Sequence, residues 1–506
     1  MGISSIIFLF PFFVLAFWLS KTILTTFQSK TVKLPPGPRK LPLIGHLHLL
    51  AAHYSDPLCQ YLRDLAKKYG PLMHLQIGEV PAIVVTSSEI AKEFYKTHES
   101  NFLGRPSLLA GEVLFYNNAE IAFAQYGDYW RQVRKICTME LLSMKRVQSF
   151  QPVREEEFLN FCRWIASNEG SPISLTERIY STANEITTRV ALGKKTGLPA
   201  KLSHIIEQNE GLSLGFEMVD FFPSFKFLRQ VGGLKYAQRL HRQMDEILEE
   251  IIVEHQANNN AHEKTHENFL DALLKFHVDA GGGEEYTPLT SDNIKAILLD
   301  MLVGGVGSPV TLEWAIAELL KHPKLMKKAQ DEVRNVYDKQ GYVDDSHINE
   351  LAYTKSVVKE CFRLHPPATL LPVREGSEAC VIDGYDIPAK ARILVNVWAM
   401  GRDPNYWKDP EKFIPERFID GSVDFRGNNY EYIPFGAGKR MCPGMVFAVA
   451  NIEFPLAMLL YHFDLVPANG VKPEEMDMTV QRPGLLSRLA KPLHVIPLVK
   501  RPLPCK

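Results

Sequence analysis

The chain has 506 residues, long for one domain yet within the range of large single-core enzymes. Hydrophobic residues make up 46% and charged ones 23%, the balance of a globular protein with a sizeable core. A net charge of -1 gives no global field that would recruit nucleic acid or acidic substrates, and no nucleic-acid partner is expected.

The first element is apolar. From Ile3 to Leu19 the chain reads ISSIIFLFPFFVLAFWL, with no charged side chain before Lys21. Ile23 and Leu24 extend it to roughly 20 residues, about one bilayer thickness. A cleaved signal peptide would want a basic start and a small-residue cleavage site, and neither is visible. Lys21, Lys30, Lys33, Arg39 and Lys40 follow, which favours keeping that side in the cytosol. Residues 1–24 are therefore predicted to be a retained single-span anchor. Residues 25–45, with Leu34-Pro35-Pro36-Gly37-Pro38, read as a stiff proline-rich hinge, and 46–506 as one catalytic body.

Within that body, apolar spacing is mostly helical between 60 and 275, as in Leu240 to Ile252. A strand pair is predicted at Leu72–Ile77 and Ala82–Val85. Polar residues 257–267 and Gly-rich 280–285 read as loops. A long helix is predicted from Ser291, its cap, to Lys321, followed by helices near 324–338 and 346–364. The stretch 366–398, with a turn at Asp383-Gly384, suggests short strands. The fold class is mainly α with a small β domain.

Seven cysteines are scattered, without CxxC spacing or a zinc-like cluster, and fit reduced thiols. Only Cys442 stands in an unusual setting: Phe435-Gly436-Ala437-Gly438-Lys439-Arg440-Met441-Cys442-Pro443-Gly444, then an apolar helical run. Its glycines allow a tight loop, and a cysteine at a helix start is favoured as thiolate by the dipole and free N–H groups. Such a sulfur suits haem iron, and Arg440 suits an anionic propionate.

The segment matches F-x-x-G-x-R-x-C-x-G at Phe435, Gly438, Arg440, Cys442 and Gly444, and so resembles the haem-binding signature of cytochromes P450. Glu360 and Arg363 resemble the family's E-x-x-R. Pro415-Glu416-Arg417-Phe418 resembles its P-E-R-F, which implies a structural Glu360–Arg363–Arg417 network. Trp130 and Arg134 resemble the W-x-x-x-R pair that reaches haem propionates, and Arg374 matches another propionate position. YGDYWRQVRK and RLHPP look like the 71 clan of plant P450s. The resemblance implies the P450 fold with its N-terminal membrane helix, haem b held through Cys442 with Trp130, Arg134, Arg374, Phe435 and Arg440 around it, and a location at the endoplasmic reticulum membrane, facing the cytosol.

The long helix departs from the family pattern A/G-G-x-D/E-T. Aligned from Asp300-Met301, the acid position holds Gly307 and the hydroxyl position Ser308; aligned from Leu312-Glu313-Trp314 they hold Val306 and Gly307. Gly307, Ser308 and Thr311 are the candidate catalytic positions, and neither register supplies an acid. Pro309 cannot donate to the carbonyl of Gly305, so a kink is predicted there. Two readings follow: a monooxygenase whose protons come from Ser308, water or substrate, or a P450-type catalyst of coupling, cyclisation, dehydration or isomerisation that inserts no oxygen.

By resemblance, Phe102–Tyr116, Leu212–Phe222, Leu298–Ser308, Ala368–Val373 and Pro483–Leu486 build the pocket. Their apolar side chains suit a hydrophobic small molecule, a terpenoid foremost, with alkaloids and phenylpropanoids open. No flavin or nucleotide domain is present, so electrons are expected from NADPH–cytochrome P450 reductase, docked on Arg131, Lys135, Lys145 and Lys439.

Overall fold

Residues with β-branched and apolar side chains at Leu72–Ile77 (β1) and Val80–Val85 (β2) pair antiparallel across a two-residue turn. They begin the account of a computed structural model that describes residues 32–53, 56–194, 197–208, 217–225, 227–228, 233–259, 267–278, 287–481 and 486–504. The predicted anchor, 1–24, lies outside these, as do 25–31 of the hinge and 260–266 and 280–285 of the predicted loops.

Among the described residues, the helices of nine residues or more are α1 (Leu58–Tyr69), α2 (Asp128–Ile136), α3 (Gln151–Ser167), α4 (Leu175–Leu192), α5 (Leu198–Gln208), α6 (Leu234–Asn259), α7 (Ser291–Gly304), α8 (Gly307–Lys321), α9 (Pro323–Tyr337), α10 (Ala352–Leu364) and α11 (Met445–His462). Three small sheets complete the fold. One has the order β1-β2-β7-β4, with β4 at Arg374–Glu375 and β7 at Arg392–Val395. A second joins β3 (Ile173–Ser174), β9 (His494–Val499) and β8 (Phe463–Pro467). The third is the hairpin β5 (Cys380–Ile382) and β6 (Tyr385–Ile387), turned by Asp383 and Gly384 at φ 50° and 71°, the two left-handed residues a tight hairpin favours. The mainly α class with small sheets holds.

α8 and α11 form the centre. Every residue from Ser308 to Leu320 is buried, and α8 packs on α4, α10 and α11. Among the described residues, two helical spans, 291–321 and 445–462, are long and apolar enough to cross a membrane by composition but lie mostly inside the protein, as core helices do. Residues 32–45 run without helix and lie on β1, where His74 N–H donates to the Pro36 carbonyl at 2.9 Å.

Two predicted boundaries shift. The cap of α7 is Thr290, not Ser291: its hydroxyl accepts the Asn293 N–H while Asn293 accepts the Thr290 N–H, a reciprocal box. The long helix does not bend at Pro309. It divides at Gly305 and Val306, where Val306 N–H reaches only the Val303 carbonyl, a tighter 3₁₀-type step. Pro309 falls in the first turn of α8, where a missing N–H costs nothing.

Candidate active site

The loop before α11 is folded back on itself by Cys442 N–H donating to the Phe435 carbonyl at 2.9 Å. Gly438, at φ 70°, turns it; the Glu99 carboxylate occupies the space a side chain at Gly438 would need and accepts the Lys439 N–H. α11 has no side-chain cap, and the Cys442 sulfur stands at its start, taking the Gly444 N–H. Burial pushes the Cys442 thiol up, while that N–H and the Arg134 guanidinium pull it back. Anything that ligates the sulfur would meet a half-buried apolar surface at Met445, Val446, Val449 and Ala450, although the same helix is almost fully buried from Asn451 onward.

Beside this loop four guanidinium groups gather. Arg440 is buried over the Trp130 ring at 4.5 Å and donates to the carbonyls of Leu103 and Ala124. Arg105 donates to the carbonyls of Ala122, Pro372 and Val373. Arg374 donates to Ala437 O at 2.9 Å through one nitrogen, while its other terminal nitrogen, also buried, has no partner among the described residues. Arg134 lies over the Trp130 ring from the other side of the cluster, at 6.0 Å. Burial and mutual repulsion lower Arg105 to about 9 and Arg440 to about 10. Buried like charges with an orphaned donor fit an anionic group with more than one carboxylate, such as the propionates of haem. Trp130 differs from expectation: its indole N–H, predicted to reach a propionate, donates to the Ile121 carbonyl at 2.9 Å.

Phe435 packs edge-on against Phe362 and Phe425, which fixes the wall of the loop and leaves it no polar role.

The opposite wall is the α7–α8 break. A side chain at Gly304 would meet nothing within 4 Å among the described residues, and one at Gly307 only Pro367, at 3.9 Å. Gly307 thus does face open space where the usual acid is missing. The two hydroxyls do not: Ser308 donates to Gly305 O at 3.2 Å, Thr311 to Gly307 O at 3.4 Å, and Thr311 has no exposure. Thr311 is a core residue, not a relay. Of the expected pocket walls, 212–216 and 483–485 lie outside the described residues.

The description "Cytochrome P450" matches residues 35–495. The chain is a cytochrome P450. Among its relatives, Cytochrome P450 71D10 of Glycine max is 47% identical over 481 residues, covering 94% of this chain and 93% of that one. Tabersonine 6,7-epoxidase isoform 1 of Catharanthus roseus is 46% identical over 482 residues, with 94% of each covered. A zebrafish cytochrome P450 solved with abiraterone superposes with TM-score 0.71 at 22% identity, over 88% of this chain and all of that one, which shows the shared fold. This P450 is an oxidoreductase of the plant 71 group.

Two parts of the P450 site have different sequence signals. The E-x-x-R pair announced itself, and Glu360 and Arg363 are both without exposure. Arg105 had none: it follows Gly104 in an ordinary loop, and its partners Pro372 and Val373 are far away in the sequence.

Proposed function

We propose that this P450 is a haem-thiolate monooxygenase of a hydrophobic plant specialised metabolite, with haem b as its cofactor. One observation carries the reading: a sulfur at the start of α11, under an apolar surface, stands beside the buried Arg105, Arg374 and Arg440 and the half-buried Arg134, and Arg374 keeps an unanswered donor. Haem bound there supplies oxygen activation at an iron with a thiolate ligand. The chain's own part is to hold and to exclude. Cys442 ligates, Arg105, Arg134, Arg374 and Arg440 bind the carboxylates, and the apolar walls keep out bulk water. Protons reach the oxygen side through water in the open face at Gly304 and Gly307, because Ser308 and Thr311 are bonded into their own helix.

The apolar pocket stretches favour a terpenoid, with an alkaloid or phenylpropanoid fitting the same surface. Oxygen insertion is supported by a relative whose name is an epoxidase. Electrons come from NADPH through NADPH–cytochrome P450 reductase, docked on the exposed Arg131, Lys135, Lys145 and Lys439. Residues 1–24 anchor the body to the endoplasmic reticulum membrane, with the catalytic domain in the cytosol, and 25–45 form the hinge.

A second reading, coupling, cyclisation, dehydration or isomerisation without oxygen insertion, is favoured by one observation: among the described residues, Gly307 supplies no acid at the helix break, and the hydroxyls of Ser308 and Thr311 are bonded into their own helix. The experiment is turnover in microsomes with a plant reductase, a panel of the three metabolite classes and heavy-isotope dioxygen. A product carrying one labelled oxygen is expected. A Cys442-dependent product without label would replace the first reading by the second.

A further inference from the structure

Away from the sulfur, a buried carboxyl pair bears on the missing acid. Asp300, on the last turns of α7, accepts the Ile121 N–H at 3.1 Å. Glu120, the neighbour of Ile121, is 1% exposed; one of its oxygens accepts the Phe123 N–H at 2.7 Å. The other oxygen is buried with no partner among the described residues. A charged carboxylate with an unpartnered oxygen in such a place costs far more than a protonated one. Asp300 itself keeps part of its surface accessible although it lies deep in the protein, so it borders interior space.

That space has a direction. Asp300 and Gly304 are four residues apart on α7, so they share one stripe of that helix, and Gly307 opens α8 just past the break. The stripe is open at Gly304, and a side chain at Gly307 would meet only Pro367 in ordinary contact. From Asp300 to Gly304 the rise is about 6 Å, which a short file of water spans.

We propose that Glu120 and Asp300 share one buried proton and form the store from which protons reach the open face of the helix break, in place of the acid that Gly307 lacks. This rests on the monooxygenase reading. There, substrate, dioxygen, two electrons and two protons give hydroxylated product and water, and the electrons come from the reductase. The pair gives up one proton per transfer and is refilled from solvent.

The charged and titratable groups around it are Arg105 and Arg440 on the cluster side, Tyr129 and Cys137 on the α2 side, and Cys442. Burial, then the Asp300 charge, raises Glu120, and burial raises Asp300, with Arg105 opposing in both.

The test uses the full-length holoenzyme. Infrared spectroscopy should find a protonated carboxyl band at neutral pH that titrates away in mild alkali and is lost specifically in Glu120→Gln. With the reductase, Glu120→Gln should keep the wild-type KM but send several-fold more of the NADPH electrons to hydrogen peroxide, with a larger solvent deuterium isotope effect on product formation. A role only in shaping the 120–124 loop would leave the isotope effect unchanged. Should Glu120→Gln not retain haem, Asp300→Asn is read for the same partition. No protonated carboxyl in the wild type, or wild-type partition and isotope effect in the variant, overturns the proposal. Product without oxygen label, with the infrared band intact, overturns the monooxygenase reading instead.

Discussion

Arg363 grips Glu360 with two hydrogen bonds, Nε and Nη2 each at 2.7 Å from a different carboxylate oxygen, and neither side chain is exposed. The remaining guanidinium N–H groups donate to the carbonyls of Gly401, Pro410 and Lys412, and Glu360 also accepts the Ile414 N–H. Arg417 reaches the same carboxylate at 3.4 Å. Helix α10 is thereby pinned to the 401–417 segment.

Breaking one partner of this pair leaves the other as an uncompensated buried charge. Glu360→Gln should destabilise the fold by about 3–5 kcal/mol. Arg363→Lys should cost nearly as much, since an ammonium cannot replace a planar fork. Urea unfolding followed by circular dichroism checks both; a loss within that of a surface control would mean the network carries little.

The glycines at the helix break separate by what surrounds them. A methyl at Gly305 would press on the Thr187 side chain at 2.7 Å, so Gly305→Ala should cost about 1–3 kcal/mol. Gly307→Asp meets only ordinary contact and should fold normally. It restores an acid on the open face and should lower the peroxide share of consumed electrons. Thermal melts and peroxide assays read the two effects.

Arg105 binds three backbone carbonyls and no carboxylate by direct contact. Arg105→Met should remove the Arg105 donors from the Pro372 and Val373 carbonyls, while the Ala122 carbonyl keeps Arg440; the change should cost about 2–3 kcal/mol and weaken haem retention on gel filtration. Equal haem content and stability in the variant would remove Arg105 from the cluster's work.

How much of this was legible beforehand differs by element. The sulfur loop and the Glu360 pair are local patterns, readable because their parts lie within ten residues. The break in the long helix was visible as Gly304, Gly305, Gly307 and Pro309, but its place was misread: proline disrupts a helix interior, and here Pro309 opens a new helix instead. Ser308 and Thr311 looked like relay hydroxyls, and only the rotamers show that they bond to Gly305 and Gly307. Arg105 and Glu120 depend on tertiary contacts that no spacing rule carries.

Acid should loosen the fold at Glu318. Burial opposes its charge, but hydrogen bonds from His322 and His365 outweigh this and hold it at about 2. A carboxylate lowered on folding gives stability that is present above the unfolded value of 4.5 and lost as pH falls toward 2. A drop of this size is worth at most about 3 kcal/mol. Glu318→Gln should therefore be less stable at pH 7 and show a flatter stability profile between pH 5 and 2 than the wild type, measured by chemical denaturation.

The most direct test of the central claim, a thiolate from Cys442 on haem iron, is the absorption spectrum of the reduced, carbon-monoxide-bound protein. The wild type should show the strongly red-shifted Soret band of thiolate ligation, and Cys442→Ser should lose it while circular dichroism shows the same helix content. A wild-type band at the position given by a nitrogen ligand, or a red-shifted band that persists in Cys442→Ser, would contradict the account.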